Sequence, residues 1–170
     1  MVTHNDPAED VAASLPHVEP LMKLEEFLPY RLNVVAGLTS QALSRIYTER
    51  YGIGATEWRV LVTLGQYGTM TGKAVGAHSQ MHKTKVSRAV AVLVKRTMIT
   101  RRANNTDLRE AFLSLTPSGR AIYEDLAPIA LDFAKQLCDA IEPADRPAFE
   151  RSIERLARRS AELARGRGSP

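Results

Sequence analysis

Cysteine is almost absent from this chain of 170 residues. Cys138 stands alone, so no disulfide can form within the chain and no thiolate metal cluster is available. It lies in the helix-patterned stretch 131–138 among apolar neighbours, with no basic cluster to lower its pKa, and reads as a small hydrophobe turned into a core. The four histidines offer no metal site either. Only His78 and His82 are close in sequence, they straddle an expected turn, and no acid or cysteine joins them. No apolar run approaches the roughly 18 residues that a membrane-spanning helix needs. The opening MVTHNDPAED lacks a basic region followed by an apolar one, so the cytoplasm is the expected compartment. Glycine-rich phosphate loops, the G-x-S-x-G elbow and H-E-x-x-H are all missing. No enzyme, cofactor, metal or membrane partner is expected.

Two further absences are local. Proline does not occur between Pro29 and Pro117, the stretch that must build the central fold, and no acid occurs from Met81 to Thr106. The net charge is only +4, but residues 81–109 carry eight cations against Asp107, a net +7 that leaves −3 for the rest. One surface is therefore strongly positive, as neutralising phosphates requires.

What is present is mostly helical periodicity. Residues 1–27, with Pro7, Pro16 and Pro20, read as an N-terminal arm. From Leu28 to Tyr51 the apolar residues Leu28, Leu32, Val35, Leu38, Ala42 and Ile46 recur at helical steps, with Pro29 in the first turn. Thr56 is the expected N-cap of a second helix, 57–64, closed by Gly65 and Gly68. A short third helix follows Thr69 or Thr71 and runs to His78. A turn at 79–82 leads into a fourth, Lys83 to about Arg96. Two short helices joined by a turn, the second basic outside and apolar inside, are a helix-turn-helix. Then the period changes: 98–102 and 111–115 are strand-like around the turn residues 103–107, a hairpin or wing. Thr116 and Pro117 open a long helix striped by Ile122, Leu126, Ile129, Phe133, Leu137 and Ile141 and kinked at Pro128, and Pro143 opens a last one bearing Phe149, Ile153, Leu156 and Ala157.

The fold class is thus mainly α with a small β-wing: a winged helix-turn-helix at 56–116, long helices at 28–55 and 117–165, and a tail at 166–170. The long helices carry more apolar surface than one small core covers, which predicts an isologous homodimer.

On the fourth helix, about 100° per residue places Val86, Ala89, Val90 and Leu93 in one sector and Thr84, Arg88, Ala91 and Lys95 opposite, flanked by Lys85 and Ser87. Hydroxyls at the start, a small residue in the middle and cations at both ends suit a helix entering the major groove. A solvated helix would interleave acids for i, i+4 pairs, and this one has none. Arg88 is the candidate for a bidentate guanine contact; Lys83, Thr84, Lys85, Ser87 and Lys95 reach bases or phosphates. The wing adds Arg101, Arg102, Asn104, Asn105, Asp107 and Arg109, an arginine at its tip being suited to a narrow minor groove. Asp107 is read either as an acid orienting Arg88 or Arg109 or as a turn former.

Several of these residues resemble the MarR family of bacterial regulators. The resemblance covers about Leu28 to Leu163 and is carried by Thr84-Lys-Val-Ser-Arg88, the Asp107-x-Arg109 pair and Leu113-Ser-Leu-Thr-Pro-Ser-Gly119; Thr56-Glu-Trp-Arg-Val-Leu61 is similar to the family's opening of the second helix. It implies a homodimer with intertwined terminal helices and two reading heads on a pseudo-palindromic double-stranded operator. It also implies a repressor released by a small molecule, and a place on the nucleoid. Two departures stand out. Thr97 occupies the turn after the fourth helix where a glycine is usual, so that turn must differ or carry strain. Glu110 and Ala111 make the wing less basic than many.

Residues 27–33 resemble members tied to aromatic compounds. Tyr30, Arg31, Trp58, Arg59, Tyr67 and His78 are the candidate effector residues, rings and arginines suiting an aromatic carboxylate or its coenzyme A thioester. The competing readings are a redox- or otherwise-responsive winged-helix regulator, or a winged-helix module that binds protein and has no effector.

Overall fold

Among the described residues six α-helices and three short strands form in the order α1 (Leu28–Tyr51), α2 (Ala55–Tyr67), β1 (Met70–Thr71), α3 (Gly72–Ser79), α4 (Lys83–Lys95), β2 (Ile99–Ala103), β3 (Ala111–Leu115), α5 (Pro117–Cys138) and α6 (Arg146–Gly166). The computed structural model describes residues 21–104 and 110–166. The chain divides into two compact units, Met1–Ser40 and Gln41–Pro170. In the first, a 3₁₀ turn (Leu24–Glu26) precedes α1, and Leu28, Leu32, Val35 and Leu38 are all exposed. Pro29 sits in the first turn of α1, where a missing N–H removes no intrahelical bond.

The second unit holds the core. Its most enclosed side chains are Ile53, Val60, Leu61, Leu64, Val75, Leu93 and Leu126. Tyr47 comes in from α1 and Ile122 from α5, so both long helices lend a few residues to the centre of the winged head. Helix α1 ends at Gly52, which takes a left-handed φ of +59°.

Helix α2 begins two residues earlier than expected. Gly54, not Thr56, is the N-cap, because Glu57 at the third helical position accepts the Gly54 N–H through Oε2 at 3.0 Å. The helix also runs past Gly65 to Tyr67. Gly65 does not end it: the ring of Tyr123 on α5 lies against that backbone, and a Cβ there would sit 2.7 Å from it. Gly68, at φ +77°, is the terminator. Thr71 caps α3 by accepting the Ala74 N–H at 3.3 Å.

The sheet is antiparallel in the order β1-β3-β2, with Ile99 opposite Leu115, Arg101 opposite Leu113, and Met70 also opposite Leu113. The two-residue β1 was not expected; alternation needs several residues to show itself. Thr97, between α4 and β2, is left-handed at φ +57°. The turn thus carries the strain that a β-branched residue brings there. Bonds from Thr97 N–H to Val94 O and from Met98 N–H to Leu93 O, both 2.9 Å, close a Schellman turn. From α5, Thr116 Oγ1 and Ser118 Oγ donate to Thr97 O at 2.7 and 2.9 Å. Gly119 passes so close to the Met98 carbonyl that a Cβ would collide with its oxygen. Thr116 caps α5 as expected, accepting the Gly119 N–H at 3.1 Å.

Two other expectations are corrected. Helix α6 begins at Arg146 instead of Pro143, because Arg146 pins the preceding turn, donating to Ile141 O at 3.1 Å and to Asp139 Oδ1 at 3.0 Å. Cys138 is exposed, not part of a core. It ends α5, and none of residues 131–138 is buried, since the core contact of that helix stops near Leu126. Among the described residues no helix is long and apolar enough to cross a membrane.

Candidate nucleic-acid interface

The inner face of α4 is set by Val86, Ala89, Val90 and Leu93, all buried. That burial fixes the rotation of the helix and turns Lys83, Thr84, Lys85, Ser87, Arg88, Ala91 and Lys95 outward, all exposed. Among the described residues no hydrogen bond or ion pair engages the side chains of Arg88, Lys95 or the three residues Lys83, Thr84 and Lys85. The Gln80 turn ahead of α4 is left-handed (φ +54°) and closed by Met81 N–H on Gly76 O at 3.0 Å, so α3 and α4 meet through a fixed corner.

Beside this face, β2 presents Arg101 and Arg102, both exposed and on opposite sides of the sheet. Arg101 shares its side with Leu113 and borders a cavity of about 610 Å³ between α3, α4 and the sheet. Lys73, Lys83 and Ser87 also line that cavity, with Glu110 as its acid and Val86 and Val90 as its apolar floor. Lys73 was not singled out by sequence, since it stands outside the basic run that marks the rest; Glu110 was noted there only as making the wing less basic. Asn104, a candidate wing contact, is only 8% exposed. Asn105, Asp107 and Arg109 lie outside the described residues.

Arg96 belongs to the same basic run but not to the face. Its guanidinium turns to the end of α1, donating to Gly52 O at 2.8 Å and to Tyr51 O. Tyr51 in turn donates its phenol to Asp125 Oδ2 at 3.0 Å, beside an Arg50–Asp125 pair at 3.2 Å. That bond to the carboxylate, then burial, holds the Tyr51 phenol above its usual value near 10. A raised phenol stabilises the fold below that value and the contribution is lost as the pH climbs through it. No pattern in the sequence points from Arg96 to a carbonyl 44 residues away.

The candidate effector residues belong to both units. Tyr30 and Arg31 are exposed residues of the first unit. Trp58 is a core residue, 6% exposed and stacked on Tyr47 with centroids 5.8 Å apart, with Tyr123 at 6.4 Å on α5. Arg59 beside it is exposed; burial raises the Tyr47 phenol and the Arg59 charge opposes that rise. Tyr67 and His78 pair at the surface, their rings 4.2 Å apart.

The sequence model of the MarR family matches residues 53–111, the span from the buried Ile53 through α2, α3, α4 and the wing. Over that span the chain resembles the MarR family of winged-helix transcriptional regulators. Among its relatives, the HTH-type regulator YwoH of Bacillus subtilis, itself uncharacterised, is 28% identical over 101 residues, which is 59% of this chain and 73% of YwoH. Sco3205, a MarR family regulator from Streptomyces coelicolor solved in complex with DNA, superposes with a TM-score of 0.71 at 22% identity, over 84% of this chain and 91% of that one. BpsR of Bordetella bronchiseptica, solved for the regulation of its DNA binding by 6-hydroxynicotinic acid, gives 0.64 at 20% identity, over 75% and 98%. The helical fold and its small antiparallel sheet are those of MarR structures, and the winged helix is their DNA-binding element.

Proposed function

We propose that this chain is a cytoplasmic homodimeric repressor of the MarR family that reads a pseudo-palindromic operator and leaves it when a small aromatic acid or its coenzyme A thioester binds. The observation that carries the DNA half is the outer face of α4. Its cations are exposed and unpaired, on a helix whose rotation the core holds fixed. Arg88 takes the guanine edge, Thr84, Lys85 and Ser87 the neighbouring bases or phosphates, and Lys83, Lys95, Arg101 and Arg102 the backbone. Arg109 of the wing suits the adjacent minor groove, with Asp107 orienting Arg88 or Arg109 or serving as a turn former.

The dimer is supported by apolar side chains that the chain leaves open: Leu131 is 72% and Leu137 48% exposed on α5, Phe149 49% and Ile153 42% on α6. Two-fold symmetry would then set two half-sites about one helical turn apart. The effector reading is supported by the ring group Tyr47, Trp58 and Tyr123 with Arg59 at its edge, and by the aromatic acid that regulates DNA binding of BpsR.

The test is a duplex selected from a randomised pool by the full chain, titrated by fluorescence anisotropy. Two chains per duplex are expected, with affinity falling steeply between about 50 and 200 mM salt. One chain per duplex would sink the dimer, and a salt-insensitive signal would sink the DNA reading. Benzoate- and nicotinate-type acids and aryl coenzyme A thioesters, added to the complex, are expected to release the duplex. A complex indifferent to all of them would end the aromatic-effector reading.

A further inference from the structure

Arg88 and Arg96 lie eight residues apart in one basic run, and the structure gives them different tasks. Arg88 is turned outward with no partner, whereas both terminal nitrogens of Arg96 are committed to the carbonyls of Tyr51 and Gly52. Those carbonyls stand at the C-terminal end of α1, where helix oxygens lack intrahelical donors and the helix dipole is negative. A planar guanidinium satisfies two such oxygens at once; an ammonium is a point charge and does not reproduce that fork. Arg96 is also the last turn's own cap, its N–H donating to Val92 O at 3.0 Å. The next residue is the left-handed Thr97, whose carbonyl is held by Thr116 and Ser118 of α5. The anchor on α1 is itself fixed, through Tyr51 and Arg50, to Asp125 of α5.

We propose that Arg96 is a positioning residue for DNA reading: by gripping Tyr51 and Gly52 it sets the angle at which α4 presents its outer face, and Asp125 holds the anchor it grips. The C-terminal end of α4 is thereby tied to both long helices, while its N-terminal turns carry Thr84 and Arg88 toward the bases. A small rotation about that end moves Arg88 off a bidentate contact without removing any phosphate-binding charge from the face. The inference rests on α4 being the reading helix.

The experiment compares the selected duplex with a scrambled duplex of the same composition, across salt and well below each variant's melting temperature. Arg96→Met, which keeps an unbranched apolar stem and loses the donors, is expected to weaken binding to the selected duplex about tenfold, the scale of one mismatched base pair. Binding to the scrambled duplex and the salt slope should stay as they are. Arg96→Lys, the variant less apt to disturb folding, should show the same one-sided loss at about threefold. Asp125→Asn should lower the ratio in the same direction and by less. Equal loss on both duplexes with a salt slope shallower by about one would make Arg96 a phosphate contact. An unchanged ratio with a lowered melting temperature would make it a structural cap only. Either result overturns the proposal, and an unchanged ratio in Asp125→Asn overturns the part given to Asp125. Arg88→Ala on the same duplexes separates the two levels. If it leaves the ratio intact, α4 is not the reader and the inference falls with that reading; if it lowers the ratio while Arg96→Met does not, the inference fails alone.

Discussion

The winged head and the terminal helices of this chain solve opposite problems. In the winged head the central apolar side chains are covered and the cations of the outer α4 face are not paired: Val60, Leu61, Leu64, Val75 and Leu93 are at most 1% exposed, while Lys83, Lys85, Arg88 and Lys95 have no partner among the described residues. In the terminal helices and the turns beside them some charges are paired and many apolar side chains are left uncovered. All five ion pairs among the described residues, Lys23–Glu26, Arg50–Asp125, Arg120–Glu124, Arg146–Asp139 and Arg159–Glu162, involve those segments. Meanwhile Leu131, Leu137, Phe149, Ile153 and Leu163 remain open to water. Exposed ion pairs contribute little stability, on the order of 0–1 kcal/mol each, so this division says less about stability than about partners. Unpaired cations on a rigid face fit a polyanion. Uncovered apolar stripes on long helices fit another apolar surface.

The comparison can be broken most forcefully where α5 and the hairpin touch without room to spare. Gly119→Ala places a methyl on the Met98 carbonyl and should cost at least about 3 kcal/mol, enough to unfold the head in a thermal melt. A melting temperature within a few degrees of the parent would mean that α5 and the hairpin are free to part. The second test separates the regions. Leu137→Glu combined with Phe149→Glu should abolish a dimer in light scattering, each buried apolar side chain being worth about 1.5–3 kcal/mol, while Trp58 fluorescence from the head stays unchanged. A dimer that survives would mean these faces are not its interface.

Within the head, Arg88→Ala should cost about 1–3 kcal/mol of binding to the selected duplex and relax its sequence preference, whereas Lys95→Ala should weaken all duplexes alike and reduce the salt slope by about one. Identical behaviour of the two variants would erase the distinction between base reader and phosphate clamp on α4. The smallest effect is a gain. Thr97→Gly relieves a β-branched residue at φ +57° and should raise stability by about 0.5–1 kcal/mol in urea denaturation, the flexibility of glycine in the unfolded chain taking back part of the relief. A loss would show that the Thr97 hydroxyl, which donates to Arg96 O at 2.7 Å, matters more than the strain.

The legible parts of this fold are those with a local cause. The rotation of α4 follows from four apolar residues at helical spacing, and the strain at Thr97 follows from a β-branched side chain in a turn that wants glycine. The cap on α5 follows from Thr116 and Pro117. The misreadings involve partners far away in the chain. Gly65 looks like a helix terminator until Tyr123 is laid across it. Cys138 looks buried because its neighbours are apolar, but an apolar neighbourhood does not say which element, if any, covers it.

The sequence by itself determined which helix faces inward, where the chain concentrates its positive charge, and that a wing follows the fourth helix, because periodicity and turn chemistry act over a few residues. Only the tertiary structure decided what each cation in the basic run is for. Arg88 and Arg96 carry the same charge and the same donors in the same run. One is left facing outward and the other closes on carbonyls 44 and 45 residues away, because long-range packing, which no local pattern encodes, decides which oxygen comes within reach.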